Sequence, residues 1–282
     1  MHLYKTRKGN MLAYDLGHYV IGMDWDTLIN RDDLHRYILG SLGAMKKISK
    51  DDFDLATTKD VSAPIGTQEV WAAGVTYLRS RNARMEEAQD TGGADCYQKV
   101  YEAERPELFF KSVAHRVAAD REEVYIRNDS SWNVPEPELT LYINSKGTIQ
   151  AYTIGNDMSS RSIEGENPLY LPQAKVYERS AALGPCLYIP SKPISLETMI
   201  HLEIHRGDKM MFKDSTPVSR MKRSLTELAA YLFRECDFPV GCFLMTGTCL
   251  VPPNDFTLQK KDRVEIRIEG IGTLTNTVSG KP

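Results

Sequence analysis

Pro135-Glu136-Pro137-Glu138-Leu139-Thr140-Leu141-Tyr142-Ile143 is followed by Asn144-Ser145-Lys146-Gly147, and then by Thr148-Ile149-Gln150-Ala151-Tyr152-Thr153-Ile154-Gly155-Asn156-Asp157. Apolar, β-branched and aromatic residues on both sides of a polar, glycine-containing break predict two antiparallel strands, 136–143 and 148–154. Glu136 and Glu138 stand two apart, so a strand puts both carboxylates on one face. A two-residue turn at Ser145-Lys146 sets Glu136 opposite Gly155; one at Lys146-Gly147 sets it opposite Asp157. In either register Asp157 shares the glutamates' face. A bulge with Gly147 in a left-handed conformation flips that parity. Like charges this close repel unless a cation or a proton relieves them. Two readings stay open on spacing alone: a solvated edge strand, or a hard all-oxygen site for Mg²⁺, Mn²⁺ or Ca²⁺.

Outward from this pair, strand signals recur at 70–77, 107–111, 124–127, 186–189, 198–206, 209–212, 243–246, 263–268 and 273–278. Helices are fewer. Residues 31–42 place Leu34, Ile38, Leu39 and Leu42 on one face, with Asn30 as the expected N-cap. Two more helical pieces are expected at 79–89 and 95–104. Ser224-Leu225-Thr226-Glu227 reads as a capping box for a further helix with Leu225, Leu228, Ala229 and Leu232 as its stripe. Residues 1–23 read as a β-meander, and 46–68 as the exit from a small N-terminal unit. The expected layout is a small N-terminal α+β domain, 1–65, and a larger domain, 66–282. Many strands and few helices predict a β-rich α+β protein, a sandwich or roll with long loops.

Composition excludes several classes. The 282 residues carry 35 Lys plus Arg against 38 Asp plus Glu, a net charge of -3. That balance lacks the basic excess of a nucleic-acid binder. No run approaches the ~20 apolar residues of a membrane span. The N-terminal Met1-His2-Leu3-Tyr4-Lys5-Thr6-Arg7-Lys8-Gly9 lacks the apolar core of a secretory signal. Five cysteines with no CxxC suit free thiols in a reducing cytoplasm rather than a disulfide frame or a zinc site. Lys175 stands in a mild stretch, where a nearby divalent cation would lower its pKa and suit it to act as a base; an ordinary surface lysine fits the same stretch. Thr246-Gly247-Thr248, after an apolar strand, can offer N–H groups and hydroxyls to a carboxylate.

Together, Glu136-Pro137-Glu138-Leu139, Tyr152-Thr153-Ile154-Gly155-Asn156-Asp157-Met158-Ser159-Ser160-Arg161, Lys175, Gly184-Pro185, Thr246-Gly247-Thr248 and the closing 261–272 segment resemble the fumarylacetoacetate hydrolase family. The resemblance covers about 70–280. It implies a mixed β-sandwich roll, a Mg²⁺ held by Glu136, Glu138 and Asp157, a small 2-oxo acid substrate, and a homodimer or homotetramer. The departures inform as well. Members that hydrolyse C–C bonds carry Gly-x-Asn-Tyr-x-x-His-x-x-Glu, whose His–Glu pair activates water. Here Gly74-Val75-Thr76-Tyr77-Leu78-Arg79-Ser80-Arg81-Asn82-Ala83 puts Ser80 and Ala83 at those positions. Glu164 stands where the family often has Gln. These departures, with 101–111 and 166–173, resemble the branch that dehydrates 2-keto-3-deoxy sugar acids, such as 2-dehydro-3-deoxy-arabinonate to 2,5-dioxopentanoate. The implied scheme has Lys175 take a C3 proton while Glu164 assists departure of the C4 hydroxyl. Tyr77, Arg81, Gln173, Thr246, Gly247 and Thr248 are the expected substrate contacts. The alternative is C–C hydrolysis or decarboxylation of a 2,4-dioxo acid, with Glu164 activating water.

Overall fold

A computed structural model describes residues 1–15, 17–79, 85 and 94–282, the side chains of 94–96 excepted. Its β-rich body is built on two mixed sheets with few helices, as the strand count predicts. The larger sheet runs Lys46–Ile48, Gly17–Ile21, Gly9–Tyr14, His2–Thr6, Ala181–Tyr188, Ile149–Asp157, Pro137–Ile143, Cys242–Met245, Glu69–Gly74, Glu107–Val113. The smaller runs Lys209–Pro217, Met199–Arg206, Arg263–Ile268, Gly272–Gly280, Glu123–Ile126. Between the sheets lies one apolar core, in which Leu139, Leu141 and Ile154 meet Ile200, Leu202, Ile204, Val264 and Ile266. Period-2 alternation makes this possible, because those residues share the inward face of their strands. The opposite face of the larger sheet is covered by the helices Trp25–Ile29 and Leu34–Ser41. There Leu28, Ile29, Leu34 and Ile38 pack with Tyr142, Ala151, Leu183 and Phe243. The first strand pairs His2 with Tyr188, so hydrogen bonding runs on from the N-terminal meander into the body of the sheet.

The hairpin of 137–157 carries two register shifts that cancel. Gly147 takes φ +74 and closes the turn, its N–H donating to the Asn144 carbonyl. That is the bulge expected to flip the parity. A second irregularity between Tyr142 and Ile143 restores it, so Pro137 faces Asn156 and Glu138 faces Gly155. Asp157 N–H then donates to the Glu136 carbonyl at 2.9 Å.

Two expectations need correction. The helix foreseen at 31–42 begins at Leu34, and Asn30 does not cap it; the Leu34 N–H is taken by Gln150 Oε1 at 2.9 Å, 116 residues away in the chain. The 46–68 stretch is not a plain exit loop. It holds a strand, Lys46–Ile48, and a helix, Lys50–Lys59, which Ser49 caps and which buries Phe53 and Ala56. Most of the expected 79–89 helix lies outside the described residues, while Ala94–Glu102 forms the next one. The capping box at Ser224 and Glu227 is present in full on Leu225–Leu232. Among the described residues no helix is long and apolar enough to cross a membrane.

Candidate active site

The strand ends of the larger sheet converge on one cavity, lined by Ala73, Gly74, Val75, Glu107, Phe109, Glu136, Glu138, Asp157, Leu171, Lys175, Gly247 and Thr248. Glu136 precedes and Glu138 lies within Pro137–Ile143; Asp157 ends Ile149–Asp157. All three carboxylates are buried, with candidate ligand oxygens within 4.8 Å of one another. Lys175 ends the short helix Leu171–Lys175, which Pro172 helps to start. Its Nζ donates to Glu136 Oε2 at 2.6 Å, Asp157 Oδ2 at 3.1 Å and Ser159 Oγ at 2.6 Å.

Two further cations stand behind the carboxylates. Lys111 Nζ lies 2.5 Å from Asp157 Oδ1. Arg161 Nη2 donates to Glu136 Oε1 at 2.6 Å, and its Nη1 stands 3.9 Å from Glu164 Oε2. Burial pushes the Lys111 ammonium below its usual pKa, with Asp157 opposing that push. Glu138 differs from the other two. Its carboxylate takes the Gly247 N–H at 2.6 Å and is hydrogen-bonded to none of these cations. Burial lifts its pKa well above the carboxylate range, and the charges of Asp157 and Glu136 add to the lift. An all-oxygen donor set in which one buried carboxylate is hydrogen-bonded to no cation among the described residues fits a hard divalent cation such as Mg²⁺.

The Thr246–Thr248 turn is built to aim that N–H. Thr246 Oγ1 donates to the Leu139 carbonyl and Thr76 Oγ1 to the Thr246 carbonyl. Gly247 has φ +94, and a Cβ there would lie 2.0 Å from Thr76 Oγ1, so only glycine fits without strain.

The structure therefore brings together Glu136, Glu138, Asp157, Lys175, Gly247 and Thr248. Tyr77 is buried beside them, pairing through its backbone with Met221, and Glu138 acts on its phenol electrostatically. Glu164 is buried at Arg161 but does not line the cavity. Gln173 is exposed and offers its carbonyl to Arg127 Nη1. The Thr246 side chain is engaged by the Leu139 carbonyl. Arg81, with Ser80 and Ala83, lies outside the described residues. Sequence reasoning gave no role to Lys111, Arg161, Ser159 or Glu107. Glu107 opens the strand Glu107–Val113 and reaches across Gly74, where a Cβ would fall 1.9 Å from its Oε2. The 101–111 segment that resembles the dehydratase branch contains Glu107 without singling it out, and Gly74 is the residue that makes room for it.

The family model described as fumarylacetoacetate (FAA) hydrolase C-terminal matches residues 70–279. A Haloferax volcanii protein named "Probable 2-keto-3-deoxyxylonate dehydratase" is 46% identical over 229 residues, 80% of this chain and 77% of that one. The 2-dehydro-3-deoxy-D-arabinonate dehydratase of Saccharolobus solfataricus is 37% identical over 267 residues, 93% of this chain and 82% of that one. A solved structure of 2-keto-3-deoxy-D-arabinonate dehydratase complexed with magnesium and 2,5-dioxopentanoate matches with a TM-score of 0.85 at 32% identity, covering 99% of this chain and 98% of that one. The segment matched by the family model contains every described residue that lines the cavity, and this chain belongs to the fumarylacetoacetate hydrolase family.

Proposed function

We propose that the protein is a Mg²⁺-dependent hydro-lyase that dehydrates a 2-keto-3-deoxy sugar acid, a five-carbon acid such as 2-dehydro-3-deoxy-arabinonate being the favoured substrate. The observation that carries this reading is a buried lysine amine and a fourth carboxylate, Glu107, at the cavity of the three-carboxylate set. Kinship with dehydratases of such acids, one of them solved with magnesium and the dehydrated product, supports it.

Held by Glu136, Glu138 and Asp157, Mg²⁺ would supply Lewis acidity toward the carboxylate and carbonyl of a 2-oxo acid. In the proposed scheme Lys175 takes one C3 proton. Glu136, Asp157 and Ser159 then hold the ammonium that forms, through the bonds they already make to Nζ. Glu107 is better placed than Glu164 to protonate the leaving C4 hydroxyl, since it lines the cavity and Glu164 does not. Water departs, and the unsaturated acid tautomerises to the aldehyde. Gly247 N–H keeps Glu138 aimed, and the substrate's distal end would lie toward Thr248 and Tyr77.

The test is incubation of the protein and Mg²⁺ with a panel of 2-keto-3-deoxy acids and 2,4-dioxo acids. Aldehyde with no cleaved carboxylate is expected; pyruvate or another cleavage product would favour the hydrolase instead. We also propose a homodimer or homotetramer, which light scattering at micromolar concentration would check. The free thiols Cys186, Cys236, Cys242 and Cys249 suit a cytoplasmic setting.

A further inference from the structure

We infer that Lys111 is a positioning residue, which fixes where the amine of Lys175 stands relative to the carboxylate of Asp157. The inference rests on the dehydratase reading above, in which Lys175 is the base. Lys111 is fully buried, at 0% exposure. An ammonium has three N–H donors; this one stands in an ion pair 2.5 Å from Asp157 Oδ1 and donates to the Met158 carbonyl at 2.9 Å and the Lys175 carbonyl at 2.6 Å. The last belongs to the terminal residue of its helix, where a carbonyl has no intrahelical partner.

One side chain thus ties three separate segments. Its own strand, Glu107–Val113, also carries Glu107 and Phe109, whose ring lies 5.7 Å from Lys175 Nζ. The second segment is the exit of the strand ending at Asp157, and the third is the helix ending at Lys175. The two lysines take opposite oxygens of Asp157, Lys111 on Oδ1 and Lys175 on Oδ2. With both oxygens held, the carboxylate plane is fixed. Lys175 Nζ is then held between Asp157, Glu136 and Ser159 rather than swinging about its own four-carbon stem. An apolar residue of similar length would fill the space without the cost of burying a charge. A charge spent on two peptide carbonyls and a metal-site carboxylate is arranged for placement.

The test compares Lys111→Met, close in size and uncharged, with Lys111→Arg, which keeps the charge but replaces the compact ammonium by a planar fork. Both are assayed as whole protein with Mg²⁺ and a 2-keto-3-deoxy acid, with cooperative melting as the check on folding. A misplacement of about 1 Å costs about 10²-fold. The expected result is a kcat fall of about that size in both variants, with KM within threefold of the parent. A folded variant of either kind with kcat within threefold of the parent overturns the inference. So does loss of folding in both, which would assign Lys111 to the fold alone. A crystal structure of the folded variant gives a readout independent of turnover: Lys175 Nζ should leave hydrogen-bonding distance of Glu136 or Asp157. An unmoved Lys175 would overturn the inference. Failure of the parent to dehydrate any acid would count against the dehydratase reading instead, leaving the crystallographic test in force.

Discussion

Among the described residues Glu107 and the three clustered carboxylates meet Lys111, Lys175 and Arg161 at the site, and the division of labour among them is testable residue by residue. Lys175→Met should abolish turnover and stop exchange of the substrate's C3 protons with deuterated water, while Mg²⁺ binding by calorimetry persists. A general base contributes about 10²–10⁴-fold; exchange at the parent rate would remove Lys175 from that role. Glu107→Gln should slow dehydration while C3 exchange continues, because the base is untouched. Glu164→Gln, removed from the cavity, should have the smaller effect on kcat, and the reverse order would restore Glu164 as the acid. Glu138 gives a pH signature. Its folded-state pKa lies above the usual 4.5, so over that window the folded protein binds the extra proton and stability falls as pH rises. Metal-free protein should therefore lose melting temperature from about pH 4.5 upward more steeply than Glu138→Gln, and parallel curves would contradict the shift. Mg²⁺ at 100 times its Kd should stabilise the parent by about 2.7 kcal/mol.

At the level of elements, the turn after Cys242–Met245 is the sharpest case of backbone geometry serving the site. Gly247→Ala must place a Cβ against Thr76 Oγ1 and 3.0 Å from the Ala73 carbonyl, at a φ that L residues rarely adopt. The expected cost is about 1–3 kcal/mol, read as a lower melting temperature. Activity should fall too, since the Gly247 N–H would leave Glu138; a variant with parent stability and rate would mean that the turn relaxes freely. Elements whose information is local were legible in the sequence. The Ser224 capping box sits within four residues, and Arg263–Ile268 alternates cleanly between buried and open positions. The carboxylate pair was legible because a period of two is enough to place it on one face. What could not be read depends on distant partners. Gln150 caps Leu34 from across the chain. Two bulges must both be known before the hairpin parity is right. Lys111 looks like any strand lysine until Asp157, Met158 and Lys175 are folded around it. The helix Lys50–Lys59 was hidden by its acidic first turn, Asp51 and Asp52, which reads as a charged loop but suits a helix N-terminus.

On the scale of the whole molecule, the site stands on a sheet with a separate core on each face, and the residues before 65 build much of one of them. Leu3, Leu12, Ile21, Trp25, Leu28, Ile29, Leu34 and Ile38 are all buried in the cluster that also holds Tyr142, Ala151, Leu183, Leu187 and Phe243. Those last five lie on the strands that carry Glu138 and Asp157 or pair directly with them. A boundary near residue 65 is proposed as a division of the chain's layout; the packing argues that the two parts fold together. Each large apolar side chain returned to water forfeits roughly 1.5–3 kcal/mol, against a total stability of only about 5–15 kcal/mol for a typical domain. Cutting the chain to residues 66–282 uncovers several such side chains at once. It also strips Ala181–Tyr188 of its neighbour His2–Thr6, leaving an open strand edge. The expected outcome is that 66–282 alone shows no cooperative thermal transition and binds dyes that report exposed apolar surface. Adding residues 1–65 as a separate chain should restore the transition in part, because the missing face is supplied without the covalent link. A 66–282 fragment that melts cooperatively near the parent temperature and still binds Mg²⁺ would make the N-terminal part an appendage, with the core behind the carboxylates sufficient by itself.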